Sequence, residues 1–121
     1  MKVELNIEDQ DIIDVLITAL EGGSNYWYNL PELDMVKCHQ YPNKSFAISE
    51  KVGKAVLEYN EVIPVYDIED EDNHLGDISQ NNIKRGLQLF INDNRCWIPD
   101  MDAEQADIFF QFVVMGELIY G

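Results

Sequence analysis

The stretch PDMDAEQADIFFQFVVMGELIYG, residues 99–121, decides the fold, because it combines the strongest helix-start signal in the chain with a row of apolar residues. Asp102 can cap a helix, and Gln105, three residues later, can complete a capping box. Apolar residues then recur at helical spacing. Those predicted to face the core are Ala106, Phe109, Phe110, Val113, Val114 and Leu118.

Two further helices are predicted from similar signals. One runs from about Asp9 to Glu21, with acidic residues at its start, and Gly22-Gly23 would end it in the left-handed conformation that glycine adopts readily. The other runs from about Gln80 to Asn92 and is capped by Ser79. Its predicted inner face is Ile83, Leu87, Phe90 and Ile91. A short helix could also open SFAISEKVGKAVLEYN, residues 45–60, with Ser45 or Ser49 as its cap.

Alternating patterns indicate a small sheet. VELNI, residues 3–7, is typical of a short strand, and another is expected near residues 35–40. VIPVYDIED and HLGDIS, joined by the polar tip EDN, predict an antiparallel hairpin over residues 62–79. Pro64 would place the first hairpin strand at a sheet edge. We therefore expect one α+β domain over residues 1–121, with a mostly antiparallel sheet and about three packed helices.

Composition and charge limit the partners. The chain has 121 residues and is 46% hydrophobic, which favours a globular fold over a disordered acidic tail. Its 23 acidic and 8 basic residues give a formal charge of −15, which disfavours direct binding to nucleic acid or anionic membranes and attracts basic surfaces. Neither a signal peptide nor a bilayer-spanning apolar run is evident, so we expect a cytoplasmic protein. Cys38 and Cys96 are expected to be reduced thiols.

An aromatic cluster follows the first helix in EGGSNYWYNLPE, residues 21–32. Tyr26 and Trp27 supply flat apolar area with a polar group on each ring, which is typical of ligand pockets and interfaces. The alternative is that Trp27 anchors the core. Asn25 could bind a ligand or support the turn. Glu21 lies at the negative end of the helix dipole, so it either faces solvent or has a specific partner.

The second candidate site is the acidic turn, residues 67–72, with the sequence DIEDED. Its carboxylates are Asp67, Glu69, Asp70, Glu71 and Asp72. It does not fit a calcium loop, because Asp72 stands where glycine is needed and Ile78 where glutamate is needed. A solvated hairpin tip and an acidic contact surface remain as alternatives. Such a surface could extend over Asp77, Asp93, Asp100, Asp102 and Asp107.

No catalytic, cofactor or metal pattern is evident. Cys38 and His39 are adjacent, and adjacent residues of an extended chain point to opposite sides. The glycines match neither a phosphate-binding loop nor a dinucleotide-binding pattern. Arg85 and Arg95 are interpreted as surface counter-charges. We therefore expect no enzymatic activity.

Two stretches together resemble a widespread family of small proteins encoded by phages, prophages and mobile elements of bacteria. They are ITALEGGSNYW, residues 17–27, and DAEQADIFFQFVVMGELIYG, residues 102–121, with a central helix over residues 84–90 between them. The matching positions are Glu21, Gly22, Gly23, Tyr26, Trp27, Ala106, Asp107, Gln111, Gly116, Glu117, Tyr120 and Gly121. Met115 stands where an aromatic residue is usual. The resemblance implies the cytoplasm of an infected or lysogenic bacterium and brings no settled activity.

The leading hypothesis is a non-enzymatic protein-binding module, a candidate anti-defence inhibitor of the anti-CRISPR or anti-restriction kind. Its acidic turn would mimic nucleic acid on a host protein that has a basic nucleic-acid-binding surface. One alternative is a binder or sponge for a nucleotide-like small ligand, using Tyr26 and Trp27 with Asn25 and Glu21. Another is a structural protein that self-associates through the aromatic segment as a homo-oligomer.

Overall fold

A computed structural model describes residues 7–31, 48–95, 97 and 101–120. It confirms the predicted α+β class, with four helices and a three-stranded antiparallel sheet among these residues. The elements are α1 (Asp9–Thr18), a π-helical turn (Ala19–Gly23), β1 (Tyr28–Asn29), α2 (Ile48–Tyr59), β2 (Ile63–Asp67), β3 (His74–Ile78), α3 (Gln80–Asn92) and α4 (Ala103–Met115). The strands predicted at residues 3–7 and 35–40, and both cysteines, lie essentially outside the described residues.

Helix α4 is the centre of the core. Every residue from Ala106 to Val114 is buried, and α1, the π-helical turn, α3 and β3 all pack against the helix. Asp102 caps its start as predicted, since Asp102 Oδ1 accepts a hydrogen bond from Gln105 N (2.8 Å). Gly116 ends it with a φ of +73°, the left-handed conformation that glycine adopts without strain.

The residues after Gly116 depart from the helical pattern. Leu118 is 46% exposed, so the prediction that it faces the core is wrong. The reason is that α4 ends at Met115, three residues earlier, and the chain turns at Gly116. The side chain of Gln105 also differs from the capping-box expectation, because its oxygen accepts a hydrogen bond from Arg95 Nη1 (3.4 Å).

Glycines let three segments approach α4 closely. A Cβ at Gly23 would overlap the carbonyl oxygen of Ala103, and one at Gly76 would overlap that of Val114. A Cβ at Gly86 would overlap the Cγ2 methyl group of Val113. At these three positions the π-helical turn, β3 and α3 contact the central helix closely, so each position needs glycine, the smallest residue.

The end of the first helix corrects the sequence prediction. Among the glycines that the structure describes, only Gly116 has a positive φ, so Gly22 and Gly23 do not form a left-handed stop. Instead, Ser24 N donates to Ala19 O (2.8 Å), which closes a π-helical turn. Gly23 is required there for close contact with α4, not for its conformational freedom.

Alanine substitutions of the two neighbouring glycines separate these roles. Gly23→Ala is expected to lower the free energy of unfolding by about 1–3 kcal/mol, because its methyl group would meet the Ala103 carbonyl. Gly22→Ala is the matched control: a Cβ there has no atom within 4 Å, so the variant should gain about 0.4–1 kcal/mol. Urea unfolding followed by circular dichroism measures both. Equal effects of the two substitutions would contradict this packing.

The predicted hairpin forms, with β2 at the centre of the sheet order β1-β2-β3. Ile63 pairs with Ile78, and the register shifts between Val65 and Tyr66. The prediction that Pro64 marks an edge strand is wrong, because β1 pairs with the other side of β2. That pairing reaches only Tyr66 and Asp67, so it ends before the proline.

Helices α2 and α3 complete the fold. Helix α3 has the predicted bounds, and Ser79 Oγ accepts a hydrogen bond from Asn82 N (3.1 Å) at its start. Ile91 was predicted on its inner face but is 37% exposed. Helix α2 continues through Gly53, where the missing side chain makes room for Ile13 of α1.

Candidate functional site

A buried carboxylate on α4 connects this helix to the turn that follows α1. Asp107 is only 8% exposed. Its Oδ1 accepts hydrogen bonds from Ser24 Oγ and Trp27 Nε1, both at 2.7 Å. Its Oδ2 accepts from Tyr26 OH (2.6 Å) and Gln111 Nε2 (3.2 Å). We call these five residues the Asp107 cluster.

Gln111 extends the cluster to the segment after α4. Its Oε1 accepts hydrogen bonds from Ile119 N (2.9 Å) and Tyr120 N (2.8 Å), and its Nε2 donates to Tyr120 O (3.0 Å). The Tyr120 ring then stacks on Trp27, with centroids 5.4 Å apart and planes 16° from parallel. The amide therefore holds the segment over residues 118–120 against the indole.

The local sequence explains how the cluster assembles. Asp107 and Gln111 are four residues apart, so both lie on one face of α4. The turn after the π-helical segment closes with a hydrogen bond from Trp27 N to Ser24 O (3.1 Å) and turns its donor groups toward that face. Burying a carboxylate is unfavourable unless hydrogen bonds replace its hydration, and four donors do so here.

The cluster corrects one sequence prediction. Asp107 was expected to extend an acidic contact surface, but the structure buries it inside the fold. The spacing of Asp107 and Gln111 within an otherwise apolar helix was the available signal, because polar residues on an inward face need buried partners.

Removing the Asp107 carboxylate should be strongly destabilising. Asp107→Ala would leave the Ser24, Tyr26 and Trp27 donors unpaired, so we expect a loss of about 3–5 kcal/mol in the free energy of unfolding. Asp102→Asn on the same helix is the control, since asparagine caps as well as aspartate and the change should stay within about 0.5 kcal/mol. Chemical unfolding measures both. A loss for Asp107→Ala no larger than the control's would show that the carboxylate is not needed.

Tyr26 contributes its hydroxyl to the cluster, although about half of the residue (49%) is exposed. Burial of the hydroxyl, the hydrogen bond to Asp107 and the negative charge of Asp107 together raise the pKa of Tyr26 to about 12. The nearby Gln111 amide opposes this increase. The phenol is therefore held in its protonated, donating form well above neutral pH.

The raised pKa of Tyr26 predicts a loss of stability in alkali. The unfolded chain releases this proton near pH 10, whereas the folded chain keeps it until about pH 12. The contribution is therefore fully present below pH 10 and is lost as the pH rises through the folded-state value. Urea unfolding from about pH 9 to about pH 12 should show a steeper decline for the natural chain than for Tyr26→Phe. Parallel declines would contradict the assignment.

The structure gives internal partners to most of the residues predicted to bind a ligand. Trp27 is 1% exposed and belongs to the core, which was the structural alternative for this ring. Glu21 is exposed and also accepts a hydrogen bond from Ser49 Oγ (2.7 Å), so both alternatives predicted for its unfavourable dipole position apply. Asn25 is exposed. A groove of about 220 Å³ lies beside the cluster, lined in part by Arg95, Leu118 and Tyr120.

The acidic turn lies at the hairpin tip. Asp67 Oδ1 accepts a hydrogen bond from Glu69 N (2.9 Å), and Asp70 Oδ1 accepts from Asp72 N (3.1 Å). Two carboxylates thus fix the turn's backbone, and those of Glu69, Glu71 and Asp72 belong to exposed residues. In the described part of the chain, ion pairs join Lys54 with Glu58, His74 with Asp77 and Arg95 with Asp93, and none of these three involves the turn.

The two candidate sites are neighbours, although some 40 residues separate them in sequence. Ile68 N donates to Trp27 O (3.0 Å), which attaches the acidic turn to the aromatic segment. Burial is the largest cause of the raised pKa of Tyr120, and the negative charges of Asp67 and Glu69 raise it further. These two carboxylates therefore lie near the Tyr120 hydroxyl. One face of the protein therefore carries both features.

The wider acidic surface does not form as one patch. Asp77 pairs with His74 (2.8 Å), Asp93 pairs with Arg95 (2.7 Å), and Asp102 caps α4. Asp100 lies outside the described residues. The acidic turn therefore remains as the candidate contact, and no ion pair between described residues involves it.

Arg85 is more than the surface counter-charge predicted for it. Its Nη2 donates to Val113 O (2.7 Å), one of the last carbonyls of α4, where a cation is favoured. Arg95 does pair with a carboxylate, as interpreted from the sequence.

Within the described ranges, no group of three or more His, Cys, Asp or Glu side chains is arranged to hold a metal ion. None of the helices in those ranges has the length and apolar character needed to cross a bilayer. Comparison of the chain with models of protein families, with curated proteins and with solved structures finds no match.

Proposed function

We propose that this protein is a non-enzymatic binding module whose acidic turn occupies a basic, nucleic-acid-binding surface of a host protein. The observation that carries the proposal is the group of exposed carboxylates at Glu69, Glu71 and Asp72, none of which forms an ion pair with another described residue. A formal charge of −15 also exceeds the magnitude of about 2–8 that keeps a small domain soluble.

Rigidity supports mimicry of a phosphate backbone. The turn is held by its own Asp67 and Asp70 side chains and by the bond from Ile68 N to Trp27 O. Because the backbone of the turn is already ordered, its exposed carboxylates can accept charge-assisted hydrogen bonds from lysine and arginine at a smaller entropic cost. Such a surface would associate rapidly with a cationic groove and compete there with DNA or RNA.

The resemblance to phage and mobile-element proteins suggests the biological setting. In the cytoplasm of an infected bacterium, a protein of this kind would act as an anti-defence inhibitor by blocking an anti-phage nucleic-acid enzyme, such as a CRISPR or restriction complex. The partner is proposed from charge complementarity and this setting, and direct contact with nucleic acid or membrane is disfavoured by the same charge.

The two alternative functions have less support. A ligand site at the aromatic segment would need polar groups that already serve the fold, since Tyr26 OH and Trp27 Nε1 both donate to Asp107. Self-association is favoured by exposed apolar side chains near Tyr120, but it would bring two strongly negative molecules together.

Affinity capture from the host bacterium tests the proposal. The bait would be the natural chain, at about 50 mM and about 500 mM NaCl, and captured proteins would be identified by mass spectrometry. We expect more of a nucleic-acid-handling protein at low salt than at high salt, and we expect added duplex DNA to displace it. Glu69→Gln/Glu71→Gln/Asp72→Asn should abolish capture, because it removes three exposed charges while leaving Asp67 and Asp70 to hold the turn.

The control variant removes the same number of charges elsewhere. Asp9→Asn/Asp14→Asn/Glu61→Gln lies on α1 and before β2, away from the turn, and should capture the partner as well as the natural chain does. Capture that the two variants weaken equally, or a natural chain that retains no nucleic-acid-handling protein at low salt, would refute the proposal.

A further inference from the structure

We infer that the same face also binds an apolar group, so that its partner is a basic segment with large apolar side chains between its lysines or arginines. The site is an exposed apolar patch beside the acidic turn. Its members are Tyr26, Ile68, Leu118 and Ile119. This inference deepens the proposed function and depends on it, since the acidic turn supplies the attraction.

The four side chains belong to segments that meet at one place. The Tyr26 ring contacts the Tyr120 ring edge-on, with centroids 6.3 Å apart. Leu118 lines the same groove as Tyr120, and Ile119 N donates to the Gln111 oxygen that also accepts from Tyr120 N. Ile68 is attached through its N–H to the carbonyl of Trp27.

The patch holds four of the seven large apolar side chains that are exposed among the described residues. Tyr26 is 49% exposed, Ile68 47%, Leu118 46% and Ile119 53%, although the core directly beneath them is closely packed. Large apolar residues collected at one place on a surface mark binding sites more often than single scattered ones do. Central apolar contacts with a charged rim are the usual anatomy of a protein interface.

The charge around the patch determines which kind of partner can bind it. Carboxylates flank the patch at Asp67 and Glu69 on the turn, at Glu104 along the groove and at Glu117 next to Leu118. A second copy of this chain would bring the same carboxylates into contact and add its own charge of −15, so it is repelled. The lysines or arginines of a basic segment would pair with these carboxylates, and its apolar side chains would contact the patch.

The two contributions respond differently to salt. Attraction between exposed charges is screened when the Debye length falls, whereas burial of apolar surface is not. A partner held only by the acidic turn would dissociate at high salt. A partner that also covers the patch would keep part of its affinity.

Two synthetic peptides with the same number of lysines provide the probe. In one, serines separate the lysines, and in the other, leucines do. Fluorescence anisotropy at about 50 mM and about 500 mM NaCl should show the leucine peptide binding at least about tenfold more tightly, with most of that advantage kept at high salt. Ile68→Ser/Leu118→Ser should remove the advantage and leave binding of the serine peptide unchanged.

The control pair is Val62→Ser/Ile91→Ser, which replaces two other exposed apolar residues before β2 and on α3. It should bind both peptides as the natural chain does. If the serine peptide binds and the leucine peptide binds no more tightly, or if the patch variant keeps the advantage, the patch is not a binding surface and the proposed function stands. If neither peptide binds, both proposals fail. A dimer in sedimentation that the patch variant abolishes would assign the patch to a second copy and overturn the inference.

Discussion

The rest of the structure depends on the hydrogen bonds that the buried Asp107 carboxylate accepts. It accepts hydrogen bonds from three side chains of the turn after α1 and from Gln111, one turn further along α4. Through Gln111 it also fixes the segment that stacks Tyr120 on Trp27. A charge is tolerated in this core because its donors are already positioned by backbone turns and by a helix face. The cluster thus links the first helix, the last helix and the chain after it.

This arrangement separates structural residues from those free to bind. The stretch EGGSNYW, residues 21–27, meets α4 and the segment after it in the Asp107 cluster, where Gly23, Trp27 and Gln111 pack or donate inside the fold. Their chemistry is used internally, so it does not indicate a ligand. The surface left available for binding is the face that carries the acidic turn, which is anchored to the Trp27 carbonyl. Inside the fold, hydrogen bonds stabilise the Asp107 carboxylate, and the carboxylates of Glu69, Glu71 and Asp72 are exposed on the outside.

Local signals predicted the elements well and the contacts between them poorly. Ser79 and Asp102 cap their helices because capping depends on residues within one turn, and the hairpin follows from alternation and a polar tip. The burial of Asp107, the exposure of Leu118 and the π-helical turn at Gly23 depend on which segment lies opposite, and a periodicity does not contain that information. Of the candidate site, the acidic turn could be named from the sequence, whereas its position beside Tyr120 required the fold.

Hydrogen exchange of the Trp27 indole N–H tests the central claim most directly, because that proton lies between Trp27 and Asp107. The indole proton of Trp97, which is only partly buried, provides the comparison in the same spectrum. If the Asp107 cluster holds the fold together, the Trp27 proton should exchange only on global unfolding, with the protection of the most stable backbone amides. Exchange as fast as that of a solvent-exposed indole would show that the turn opens independently and would contradict the account.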